Sequence, residues 1–221
     1  MIKADLHVHT SASRDSMLSP EELIALCLRR GIGALAVTDH NHIAGALRLR
    51  EIAPFPVIVG EEIQTTCGEI MGLFLEETVP KNLSPEETVI RIKEQGGLVI
   101  IPHPFDRVRR SVLRRDALYA ILDQVDGIEV FNARVTLPND NIRARALAEE
   151  RGLLQTAGSD GHIACEIGNA WVEMPEFEDK EGFLHALAQG RVHGSLTNPF
   201  IHVIGTWVKW HKRLKGKQSV L

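Results

Sequence analysis

Five of the ten histidines sit in four short motifs, each with acidic or amide neighbours. They read His7-Val8-His9, Asp39-His40-Asn41, Pro102-His103-Pro104 and Ser159-Asp160-Gly161-His162. Each follows an apolar, strand-like run: Met1 to Leu6, Ala34 to Thr38, Leu98 to Ile101 and Leu154 to Ala157. Imidazole and carboxylate are the side chains that hold zinc, manganese or iron in hydrolytic sites. One such histidine carries little weight. Four strand ends bearing them predict one mouth of a barrel, assembled from distant parts of the chain.

The local spacing fits that use. His7 and His9 are i and i+2 on an extended chain, so they project to one face and can share a metal. Asp5 lies on the same face but inside the strand, which suits a group that orients an imidazole rather than a ligand. Asp15 follows in a serine-rich loop, where an aspartate usually caps a turn. In Val59-Gly60-Glu61-Glu62, strand alternation lets only one glutamate face inward. Such a carboxylate can bridge two metals with its two oxygens. His103 stands between prolines that stiffen the backbone and remove two amide donors. Asp160 and His162 repeat the i, i+2 spacing among glycines that let the chain turn closely round a site.

The elements that must position these residues alternate between strand and helix. Ser19-Pro20-Glu21-Glu22 and Ser84-Pro85-Glu86-Glu87 are helix starts with proline at N1 and glutamate at N3. Those helices end at Gly31 and at Gly96-Gly97. Further helices are expected over Leu113 to Leu122, from about Asp140 to Glu150, and from about Lys180 to Ala188. Between them lie the apolar runs 34–37, 57–59, 98–101 and 128–131, with an antiparallel excursion from Glu62 to Leu75 turning at Cys67-Gly68. This alternation predicts a mostly parallel sheet with helices outside. No GxGxxG or GxxxxGK follows the first strand, which argues against a nucleotide-binding fold.

The 221 residues suffice for one large domain. Apolar content is 44% and charged content 24%, ordinary for a globular chain. A net charge of −4 gives no global electrostatic case for nucleic acid. No run reaches membrane-spanning length, and the N-terminus enters a strand without a basic-then-apolar leader. Cys27, Cys67 and Cys165 are scattered and odd in number, which fits a reducing cytoplasm.

In order along the chain, HxH, TDH, Ile101-Pro102-His103-Pro104 and SDxH resemble the four motifs of the PHP (polymerase and histidinol phosphatase) family. The resemblance covers roughly residues 1–205, with a basic tail at 206–221. With no polymerase sequence present, it is closest to the stand-alone phosphoesterases. It implies a distorted (β/α)7 barrel of α/β class with a site at the strand C-terminal ends. It implies two or three divalent transition metals: zinc, manganese or iron. Carried over by motif, His7, His9, Glu62 and Asp160 would hold one metal, Glu62 and His103 a second, and Asp15, His40 and His162 a third. A hydroxide activated there would attack phosphorus, making His7, His9, Glu62, His103 and Asp160 the catalytic set. Relatives often place a histidine where Glu69 stands, and histidinol phosphatases another near Phe131-Asn132. Glu69 is thus either a carboxylate ligand of the second metal or a solvent-facing hairpin residue.

Arg134 and Arg107 are the candidate phosphate clamps, since a guanidinium can bind two oxygens at once. Asn41 and His42 are placed to line the mouth. The expected activity is hydrolysis of a small phosphomonoester or short nucleotide. The alternatives are an end-processing nuclease and a non-catalytic, metal-stabilised module that binds a phosphorylated ligand or a protein. The expected partner is a small phosphorylated substrate or short nucleic acid, with no membrane span and no obligate protein partner.

Overall fold

The computed structural model describes residues 1–198. The expected basic tail lies outside them. Nine strands are present among the described residues: β1 (Ile2–Val8), β2 (Ile32–Val37), β3 (Val57–Thr65), β4 (Gly68–Leu73), β5 (Leu98–Ile101), β6 (Gly127–Asn132), β7 (Leu154–Gly158), β8 (Ala170–Met174) and β9 (Arg191–Gly194). Six α-helices lie between them: α1 (Pro20–Arg30), α2 (Ala44–Ile52), α3 (Pro85–Glu94), α4 (Arg115–Ile121), α5 (Pro138–Arg151) and α6 (Lys180–Ala188). The sheet runs in the order β7-β6-β5-β4-β3-β2-β1-β8-β9. Strands β1, β2 and β3 pair in parallel, as do β5, β6 and β7. The β3–β4 hairpin is the antiparallel excursion, with Thr65 opposite Gly68 at its turn.

The seven strands β1 to β7 close on themselves at one end only. Val8 bridges Gly161 in parallel, the Asp160 amide donates to His7 O at 2.8 Å, and the His9 amide donates to Gly161 O at 3.0 Å. At the other end β8 pairs with Ile2–Ala4 of β1 and holds the barrel open. This is the distorted (β/α)7 barrel, with β8 and β9 as additions. The buried Asp5 carboxylate spans the seam, accepting from the Ser159 amide at 2.8 Å and the Gly168 amide at 2.9 Å. Asp5 therefore orients backbone and not an imidazole, because the seam amides reach it first. Burial raises its pKa to about 6 despite those donors.

Two apolar layers support the sheet. One packs α1 to α5 through residues such as Leu23, Leu49, Ile92, Leu118 and Leu147. The other fills the barrel with small residues, Ala4, Ala34, Ala36 and Ala157, together with Leu6, Ile58, Met71 and Ile100. Helix α6 adds Phe183 and Leu187 to that layer. Lys180 Nζ donates to Gly96 O just before β5, so α6 closes the end opposite His103.

The helix starts at Ser19 and Ser84 form as expected, the second as a full capping box. Helix α2 escaped the pattern because Ile43 offers no side-chain cap and Gly45 weakens helix propensity. Gly45 is required by packing: a Cβ there would lie 2.0 Å from Asp39 Oδ2.

The closest approach at the seam is at Gly158, where an added Cβ would meet His7 Cβ at 2.2 Å. Gly158→Ala should therefore push β7 from β1. Overpacking of this kind costs about 1–3 kcal/mol. We expect thermal unfolding of the chelator-treated variant to begin several degrees lower, by about 2–4 °C per kcal/mol at this size. An unchanged midpoint would show that the seam can relax.

Candidate metal centre

Loops and strand ends at the closed end of the barrel bring His7, His9, Asp15, His40, Glu62, Glu69, His103, Asp160 and His162 together. All are buried except the partly exposed His40. Strand alternation is resolved in favour of Glu62. The Glu61 carboxylate turns away and accepts the Val79 amide at 2.9 Å. The His103 and Asp160 backbones have φ of 31° and 51°, strained values for residues with a Cβ. The prolines beside His103 and the seam bonds of Asp160 hold them there.

Four donor atoms form a small polyhedron. His7 Nε2 and His9 Nε2 are 3.2 Å apart. Glu62 Oε2 lies 3.5 and 3.4 Å from them. Asp160 Oδ1 lies 3.7 and 3.4 Å from the same two nitrogens. A tetrahedral ion with ligand bonds near 2.1 Å sets its donors roughly 3.4 Å apart. Glu62 Oε2 and Asp160 Oδ1 are buried and accept no hydrogen bond, so a cation fits this donor set.

Glu62 Oε1 points the other way, 2.9 Å from His103 Nε2. Glu69 is buried beside it, with Oε2 3.9 Å from His103 Nε2 and Oε1 3.8 Å from His40 Nδ1. The solvent-facing alternative for Glu69 is thereby set aside. Asp15 Oδ2 lies 3.3 Å from His40 Nε2 and 3.4 Å from His162 Nε2, a third grouping.

Hydrogen bonds decide which ring nitrogen is available. His7 Nδ1 donates to Glu129 Oε1 at 3.0 Å, leaving Nε2 for a metal. Glu129 Oε2 accepts the His103 amide at 2.8 Å and Asn132 Nδ2 at 3.0 Å. One carboxylate thus positions three parts of the site. Its visible signal was an acid inside the apolar run Ile128-Glu129-Val130. The His9 ring has Nδ1 3.4 Å from Ser13 Oγ, and that hydroxyl donates to Asp39 at 2.8 Å. Asp39 also accepts from the Thr10 amide and hydroxyl, each at 2.7 Å, which ties the loop after β1 to the loop after β2. Asn41 fixes the same loop to β3 through the Gln64 amide, and His42 lies near Ala12 O.

Arg107 bonds Asp140 at 2.9 Å and its side chain is 56% exposed. Asp106 accepts the amides of Val108 and Arg109, and this turn carries Arg109 inward onto Asp160. Arg134 lies against His162, Glu166 and Asp160. His193 pairs with Glu173 on β8, away from the cluster.

Burial and neighbouring charge pull the imidazoles apart. Burial, with His162 and His40 nearby, lowers His9 to about 3. Burial also works against a charged His40, but the Glu62 and Asp15 carboxylates prevail and raise it to about 9. Burial opposes ionisation of Glu62, which His7 and His40 nevertheless hold well below the carboxylate range.

Residues 138–192 match the family described as PHP-associated. An uncharacterized protein of Methanocaldococcus jannaschii is 42% identical over 145 residues, covering 60% of this chain and 82% of its own length. The 5'-3' exoribonuclease of Haemophilus influenzae is 32% identical over 120 residues, covering 47% of this chain and 43% of its own. A two-domain Bacteroides vulgatus protein containing a predicted PHP-like metal-dependent phosphoesterase has the same fold, with a TM-score of 0.69 at 21% identity. The alignment covers 88% of this chain and 65% of that one. The chain belongs to the PHP family. As a PHP protein it carries the family's barrel, and the His, Asp and Glu cluster stands at its closed end.

A proton count tests the centre. A histidine must be neutral to bind a metal. Below about 9, metal-free His40 holds a proton, so loading its position should release one and affinity should climb as pH rises toward that value. Calorimetry in buffers of different ionisation enthalpy measures this release. Proton uptake, or affinity falling between neutral pH and pH 9, would contradict the assignment.

Proposed function

We propose that this PHP protein is a metal-dependent phosphoesterase that hydrolyses a small phosphomonoester or a short nucleotide. One observation carries the reading: Glu62 directs its two oxygens at two different imidazole groups inside a buried cluster of acids and histidines. That arrangement suits a carboxylate bridging two cations. Under this reading His7, His9, Glu62 and Asp160 would hold one metal, and Glu62, Glu69 and His103 a second. Asp15, His40 and His162 would hold a third. When bound, such metals activate water and neutralise the oxygens of a phosphoryl group.

The chain's own groups do the rest. Glu129 keeps the His7 proton on Nδ1 and aims Nε2 at the cluster. Ser13 and Asp39 do the same for His9. Arg109 and Arg134 are the guanidinium groups beside the ligands, and they orient the phosphoryl group or a second anionic group of the substrate. Arg107, expected in the same role, is half-exposed and paired with Asp140. We keep the cytoplasm as the setting, on the scattered cysteines.

The exoribonuclease likeness favours a second reading, in which the short nucleotide is the end of an RNA. Phosphate release from p-nitrophenyl phosphate and mononucleotides, with added manganese, should be abolished by chelator. Arg134→Ala should raise KM by an amount matching a charge-assisted contact of about 1.5–3 kcal/mol. Degradation of long single-stranded nucleic acid far faster than any mononucleotide or sugar phosphate would replace the first reading with the second. Absence of hydrolysis on every phosphoester would leave a binding module.

A further inference from the structure

The cluster is uneven in its donor chemistry. Around Glu62 Oε2 stand the three imidazoles His7, His9 and His40, with Asp160 as a second carboxylate beside His7 and His9. Beside Glu62 Oε1 stands one imidazole, His103, and a second carboxylate, Glu69, reaches that imidazole at 3.9 Å and His40 at 3.8 Å. Glu69 comes from the β3–β4 hairpin, where its amide donates to Ser111 O at 2.8 Å. Its Oε2 is buried and accepts no hydrogen bond, although it faces the cluster. A buried carboxylate oxygen without a donor loses its hydration for nothing unless a cation lies beside it.

We propose that the centre is chemically divided: the Glu62 Oε1, Glu69 and His103 face is an oxygen-rich position for manganese, whereas the His7 and His9 face is a zinc-type position. The inference rests on the metal-centre reading above and concerns which ion each half prefers. Carboxylate oxygen suits hard cations such as manganese, and imidazole suits zinc. Zinc outranks manganese in raw affinity at most nitrogen and oxygen sites. The division therefore shows as a difference in preference: the advantage of zinc is large at the His7 and His9 face and smallest at the Glu69 face.

Loading the metal-free, full-length chain with manganese and titrating in zinc tests this, with released manganese followed by electron paramagnetic resonance. The expected wild-type result is stepwise release, with the last manganese to leave being the one that Glu69 holds. Glu69→Gln, which keeps size and removes charge, should lack that late step because its manganese binds roughly 10–100-fold more weakly. Glu69→His should bind metal there again but exchange it for zinc early. Release of all wild-type manganese in a single step would overturn the division without any variant. So would a Glu69→Gln protein that binds and releases manganese as the wild type does. A wild type that shows the stepwise order yet hydrolyses no phosphoester contradicts the phosphoesterase reading alone. A wild type that hydrolyses phosphoesters but releases its manganese in one step contradicts the division alone.

Discussion

The fully buried carboxylate of Glu62 is the constraint on which the rest of the structure depends. An ionised carboxylate removed from water costs several kcal/mol unless charge and hydrogen bonds meet it. Here Oε2 faces nitrogens of His7, His9 and His40, and Oε1 faces His103. Those histidines come from β1, from the loop after β2 and from the loop after β5. Solvating one buried charge thus requires that distant strand ends be assembled at one point. The barrel closes where that requirement is met.

Closure and ligand placement are the same event at the seam. The bonds joining β1 to the segment after β7 involve the backbone of His7, His9, Asp160 and Gly161. Asp5 adds its carboxylate beneath them and Gly158 allows the approach. The end of β1 and the residue after it then present His7 and His9 against Asp160, two residues past β7. Left-handed backbone at His103 and Asp160 is tolerated because neighbours over-determine it. The same rigidity sets chemistry: Glu129, which fixes the His7 proton, also holds the His103 amide.

The barrel class was legible because strand runs and capped helices alternate at regular distance. The helix starts at Ser19 and Ser84 are local chemistry, readable without tertiary structure. Helix α2 was not, since its Gly45 is dictated by the Asp39 side chain from another loop. The histidine motifs announced themselves by spacing. Glu129 did not, because its partners His7 and His103 are remote in sequence. The arginines show the limit most plainly. Arg107 and Arg109 stand two residues apart, and only the turn made by Asp106 decides which one enters the site. Glu69 could be ligand or surface on pattern alone, and the register of β4 against β3 settles its burial.

Anomalous diffraction from crystals grown with manganese or zinc measures the central claim most directly. The account predicts peaks on both sides of the Glu62 carboxylate. One should lie about 2.0–2.2 Å from His7 Nε2 and His9 Nε2. The other should lie between Glu62 Oε1 and His103. A single peak remote from Glu62, or none in protein that remains folded, would contradict it.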